Sequence, residues 1–170
     1  MLALIVGQAA AQDVDAKGDK ELTRLTQRID KTAADSDAGR VTSRIVDEWK
    51  GTTFTAQDVQ SLRAKGLGYG EISILLALTA KQPDSATAKS LSDILAMRQA
   101  GEGWGKLARD LGYKNLGSVI KSVKATEKSV ARVAMERSEK AEKTEKMEKM
   151  DKPAKPARPE KPERPERPGR

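Results

Sequence analysis

One stretch of this chain occurs twice, and that repeat restricts the fold more than any other feature. DVQSLRAKGLGYGEISILL (58–76) aligns without a gap on DILAMRQAGEGWGKLARDL (93–111) at an offset of 35 residues. Asp58 matches Asp93, Leu62 matches Met97, and Arg63 matches Arg98. Gly66, Gly68 and Gly70 match Gly101, Gly103 and Gly105, while Tyr69 matches Trp104. Each copy reads as a helix, a tight glycine turn and a second helix, so the chain is expected to contain two equivalent helical hairpins. Lys81-Gln82-Pro83-Asp84 ends the first copy, because proline stops a helix and disfavours helical backbone before it.

The glycine spacing, G-x-G-[YW]-G, supports two readings. The first is structural. Gly66 and Gly101 stand where a helix needs a left-handed residue just past its end. Gly68 and Gly103 serve as N-caps, and Tyr69 and Trp104 begin the second helices. Glu71 falls at the capping-box position, with Leu67 and Ile72 as the flanking apolar pair; Glu102 and Lys106 lose both features in the second copy. Gly70 and Gly105, one residue inside their helices, cost helix propensity. Close approach of one hairpin's aromatic over the other's glycine is the expected compensation. The second reading is an anion site, with bare N–H groups of Gly70 and Gly105 at a positive helix N-terminus. The spacing is not that of a dinucleotide-binding loop, and no G-K-[ST] follows to make a P-loop.

The rest of the chain is also helical in pattern. Leu22, Leu25 and Ile29 recur at helical spacing from Glu21 to about Ala34. Residues 35–39 break that helix. Val41, Ile45 and Trp49 form the apolar stripe of a short helix closed by Gly51, and Thr55-x-x-Asp58 marks the next helix start. Leu116, Val119, Ile120, Val123, Val130 and Val133 define a long amphipathic helix whose apolar stripe fades near Met135. Glu139–Lys143, Glu142–Lys146 and Glu145–Lys149 are pairs at i, i+4 that extend a solvated helix to about Met150.

From Ser138 the chain is a series of triplets, and every third residue from Lys140 to Arg170 is Lys or Arg. Proline opens each triplet from Pro153 on. In polyproline II, three residues make one turn, which puts the cations on one edge at a spacing of roughly 9 Å. Residues 151–170 are therefore expected to form a disordered, extended basic tail. Lys152, Lys155, Arg158, Lys161, Arg164, Arg167 and Arg170 are its candidate polyanion contacts.

Charge and composition bound the function. Residues 1–112 carry 15 basic and 15 acidic side chains, whereas residues 113–170 carry 17 and 10 and supply the whole net charge of +7. Attraction to a polyanion should come from the C-terminal third. With neither His nor Cys, the chain has no disulfide, no thiolate or imidazole metal ligand and no imidazole base. No catalytic residue, cofactor or metal is expected, and the chain reads as a non-enzyme. Ser118-x-x-Lys121 and Asp13-x-Asp15 echo catalytic and calcium-binding motifs without the residues that would complete either.

The start, MLALIVGQAAAQ, pairs an apolar run with a small-x-small pattern before Gln12 and fits a signal peptide over residues 1–11. The run is short and lacks a basic segment, so the leader reads as truncated. Nothing else approaches the ~20 apolar residues of a membrane span.

Two resemblances follow from these residues. LRAKGLGYGEISILLAL and MRQAGEGWGKLARDLGY are each similar to the helix-turn-helix of resolvase-like DNA-binding proteins over about 20 residues. That similarity implies a reading helix after the turn, for which Lys114, Lys121 and Lys124 supply cations after the second copy. The whole chain, through its leader-like start, GLGYGEI (66–72), GWGKLARDLG (103–112) and [KR]-P-E tail, resembles a group of exported proteobacterial proteins of unknown function.

The expectation is an all-α protein: a possible signal peptide (1–11), a flexible segment (12–20) and a helical domain (21–125) with two duplicated hairpins. A long charged helix (115–150) and the tail complete it. The functional expectation is a non-enzymatic periplasmic or secreted scaffold that meets an anionic envelope surface or polymer through its tail. The alternative is a cytoplasmic DNA-binding protein.

Overall fold

A computed structural model describes residues 6–150, with side chains from Ala16 to Glu139 and at Ala141, Lys143 and Lys146. The described residues are all-helical. In chain order the helices are α1 (Val6–Ala34), α2 (Ala38–Glu48), α3 (Ala56–Ala64), α4 (Tyr69–Ala80), α5 (Leu91–Gln99), α6 (Trp104–Asp110) and α7 (Gly117–Met150).

Local chemistry explains the boundaries. Asp37 caps α2 by accepting from the Arg40 amide. Thr55 and Asp58 form a reciprocal capping box at α3, and Ser90 and Asp93 form the same box at α5. Both reciprocal pairs satisfy two N–H groups that a helix start leaves unpaired. Gly66 and Gly101 adopt φ of +87° and +90°. There the Leu67 amide donates back to the Leu62 carbonyl and the Glu102 amide to that of Met97, each at 3.3 Å.

α4 is the centre of the fold. Ile72 through Leu78 are all buried, and α4 packs against α1, α3, α5 and α7. A helix that is apolar all round needs neighbours all round, and these four helices surround it. Its C-terminal carbonyls at Ala77 and Leu78 accept from the buried Tyr113 hydroxyl at 3.3 and 3.0 Å. Desolvation pushes that phenol up to about 12.

α7 runs along α1, α2 and α4. Leu116, Val119, Val123, Val130 and Val133 are buried, and Met135 is 64% exposed, so the apolar stripe ends where its spacing predicts. Beside the stripe, Glu21 pairs with Lys124 and Arg28 with Glu127, both at 2.7 Å. Lys124 holds the Glu21 carboxyl below the usual carboxylate range. Arg40 and Arg44 converge on Glu136, and Arg137 donates to the Asp35 carbonyl. Beyond that point Ser138, Glu139, Ala141, Lys143 and Lys146 are exposed.

Both ends of the expected 21–125 domain differ from expectation. Residues 12–20, expected to be flexible, belong to α1. Within this segment Gly18 is buried against Leu116, and Asp19 accepts from α6. The core likewise runs past residue 125, to Val133. Of the leader-like residues 1–11, residues 6–11 belong to α1; residues 1–5 and the tail cations Lys152, Lys155, Arg158, Lys161, Arg164, Arg167 and Arg170 lie outside the described residues.

Candidate functional site

The two glycine turns meet α1, and α1 supplies the anion. Asp30 Oδ1 accepts from the Gly70 amide at 3.0 Å, and Asp19 Oδ1 accepts from the Gly105 amide at 2.8 Å. Gly68 and Gly103, the N-caps, have no side chain to offer. The carboxylates of a different helix therefore fill the role that Ser or Asp plays at an ordinary N-cap. Eleven residues separate them, three turns plus about 20°, so both leave the same face of α1 at a rise of about 16 Å.

In α4 this geometry also explains the glycine one residue inside the helix. A Cβ on Gly70 would lie 2.6 Å from the Thr26 carbonyl oxygen and 2.9 Å from its carbon, both backbone atoms of α1. A Cβ on Gly68 would lie 2.8 Å from the Asp30 carboxyl carbon. The expected partner, the other hairpin's aromatic, is not what approaches; α1 is. Gly70 and Gly105 are both buried.

The aromatics have their own cations. Arg63 stacks over Tyr69 at 4.5 Å and donates to the Leu67 carbonyl at 2.6 Å. Arg98 stacks over Trp104 at 4.2 Å and donates to the Glu102 carbonyl at 2.9 Å. Each guanidinium thus closes its turn over the ring that starts the next helix. Arg98 also pairs with Glu71 at 3.1 Å, bridging the two hairpins. Glu71, expected to reach back to its own N-cap, is turned towards Arg98 instead. Sequence reasoning singled out neither Asp19 nor Asp30; their signal was the eleven-residue spacing on one helix face.

As an anion site, then, each turn is occupied by the protein's own carboxylate. As a helix-turn-helix, the first hairpin has no free reading face, because α4 is buried from Ile72 to Leu78. In the second, Lys106 is held between Glu102 at 2.8 Å and Asp110 at 2.6 Å, and Lys124 pairs with Glu21.

A different part of the surface is concave. A cavity of about 350 Å³ opens where the C-terminal ends of α2 and α4 meet the start of α7, and Trp49, Thr52, Lys81, Lys121 and Ser122 are among its walls. The Trp49 ring packs edge-on against Phe54, with centroids 6.5 Å apart, and Lys81 Nζ lies 5.8 Å from its centroid.

Among the described residues, no cluster of acidic side chains could hold a metal ion, and no helix is long and apolar enough to cross a membrane. No family model, no curated protein and no solved structure matches this chain.

Proposed function

We propose that this protein is a non-enzymatic, exported helical scaffold that carries a basic tail to an anionic envelope surface or polymer. The observation behind this reading is the course of α7. It is clasped to the body as far as Arg137; beyond it Ser138, Glu139, Ala141, Lys143 and Lys146 are exposed, and the helix runs to Met150. Those last 13 residues reach about 20 Å. The sequence beyond them, residues 151–170, holds seven Lys/Arg against four Asp/Glu. A neutral body with its glycine turns filled internally leaves the C-terminal third as the part with charge to offer. The leader-like start and the resemblance to exported proteobacterial proteins support the compartment.

Sedimentation with vesicles containing anionic phospholipid tests the tail. At about 1 kcal/mol per cation near such a surface, the tail's excess of three positive charges is worth roughly 100-fold in affinity. The full chain should bind and be released by salt, and a chain ending at Met150 should lose most of that binding. Equal binding by the two chains would overturn the role of the tail. Fractionation that leaves the full-length protein in the cytosol would overturn export. Salt-dependent duplex binding by the chain ending at Met150 would favour the DNA-binding alternative, which has exposed Lys114 and Lys121 to work with.

A further inference from the structure

The body is neutral in sum, but its charges are sorted. α1 and α7 lie side by side and run in the same direction: Gly18, Glu21, Arg28 and Asp35 meet Leu116, Lys124, Glu127 and Arg137 in that order. On α1, Lys17, Lys20, Arg24, Arg28 and Lys31 are all exposed. At about 100° per residue they fall within an arc of about 80°. The other exposed residues from Ala16 to Ala34 are Ala, Thr and Gln. On α7, Lys121, Lys124, Lys128 and Arg132 are exposed within a similar arc. The two rows are about 21 and about 16 Å long.

Two carboxylates, Glu21 and Glu127, stand in the seam between the rows, and each is paired with a cation of this face. The acids are also the more covered partners. The Glu127 side chain is 16% exposed against 69% for Arg28, and Glu21 is 34% exposed against 48% for Lys124. Among the described residues, the other seven cations of the face have no ion pair. Acid returns at the far end of the rows, at Asp35 and Glu139. Like charges gathered in this way repel one another, and an external anionic surface relieves that repulsion.

The apolar residues select the partner. Trp49, Tyr69, Trp104 and Tyr113 are buried, and Phe54 packs on Trp49. The face thus has no aromatic ring on which an unpaired base could stack. It does have Met135, seven residues beyond Lys128 and therefore in line with it. Met135 is the exposed large hydrophobic residue among those described, at 64%. Such a tip gains nothing from a sugar–phosphate backbone, but it can enter a headgroup layer with acyl chains beneath. We infer that the α1–α7 face docks on an anionic phospholipid bilayer, with its cations among the headgroup phosphates and Met135 dipping below them. This rests on the anionic surface named in the proposed function, and not on the tail.

Sedimentation of the full chain with vesicles of phosphatidylglycerol and phosphatidylcholine tests it. At roughly 5-fold per cation, Arg24→Gln with Lys128→Gln should weaken binding by roughly 30-fold. Lys65→Gln with Lys89→Gln makes the same change in net charge at the end of α3 and the start of α5, and should weaken it by less than about 3-fold. Met135→Gln, which keeps every cation, should weaken it by about 4-fold. A further variant with Lys155, Arg158 and Arg164 changed to Gln weakens the tail and leaves the face intact, so either reading can fail without the other. Equal losses in the two double variants, no loss with Met135→Gln, or tighter binding of the parent chain to duplex DNA than to the vesicles would overturn the proposal.

Discussion

A methyl group at Gly70 would point into the backbone of α1, and the consequence can be given a sign. Helix propensity alone makes Gly70→Ala stabilising by roughly 1 kcal/mol. The Thr26 carbonyl at 2.6 Å cannot rotate away as a side chain would. Overpacking of this kind costs roughly 1–3 kcal/mol, so urea unfolding should show the variant to be less stable than the parent. Asp30→Ala should cost about 1–2 kcal/mol by leaving the Gly70 amide without its acceptor, and Asp30→Asn, which keeps an acceptor, should cost less. Asp19 should behave in the same way towards Gly105. The glycines were legible in the sequence as residues that a helix should not want. Their partner was not, because Asp30 and Gly70 are 40 positions apart and Asp19 and Gly105 are 86. A one-dimensional pattern ranks a helix face as apolar or polar; it does not say which neighbour meets it.

The helices divide by how they announce themselves. α3 and α5 carry their start and stop signals within a few residues: the Thr55–Asp58 box, the Ser90–Asp93 box and the left-handed Gly66 and Gly101. Local chemistry of that kind is readable from sequence. The first half of α1 is not, since residues 13–20 carry no apolar stripe and their contacts to the body come from the Asp19 carboxylate and the bare Gly18. α4 depends on a side chain from further along the chain, Tyr113, to close its C-terminal end. That contact has a pH signature. The phenol, ordinarily near 10, is pushed up to about 12 in the folded protein. The unfolded chain therefore ionises first, and stability falls as the pH rises from 10 towards 12. The loss should reach roughly 2–3 kcal/mol at the top of that window. Urea unfolding at pH 8 and pH 11 checks it: Tyr113→Phe should start lower by about 1 kcal/mol for the lost hydrogen bond and lack this component of the alkaline decline.

At the scale of the molecule, α7 joins the α1–α6 contact in tying the C-terminal half to the N-terminal helices. Its ion pairs, Arg28–Glu127 and Arg44–Glu136 among them, each keep a partner open to solvent and contribute little singly, because water and salt screen them. The buried Val130 and Val133 contribute more, roughly 1.5–3 kcal/mol each. A chain ending at Arg137 should accordingly unfold within about 0.5 kcal/mol of the full chain. One ending at Ala125 should lose roughly 3–6 kcal/mol, and circular dichroism melts of the two truncations read the difference.

The two carboxylates on α1 also make that helix a gauge. The separation of the α4 and α6 N-termini is set by the pitch of α1 as well as by the contacts between the hairpins. Adding one residue between Asp19 and Asp30 would turn one carboxylate by about 100° relative to the other. One hairpin would then keep its cap while the other lost it. Adding residues between Asp84 and Thr87, in the exposed connection from α4 to α5, would change no such register. The segment of this chain least tolerant of a change in length is thus a plain, unbroken stretch of helix, and a connection between the hairpins is among the most tolerant.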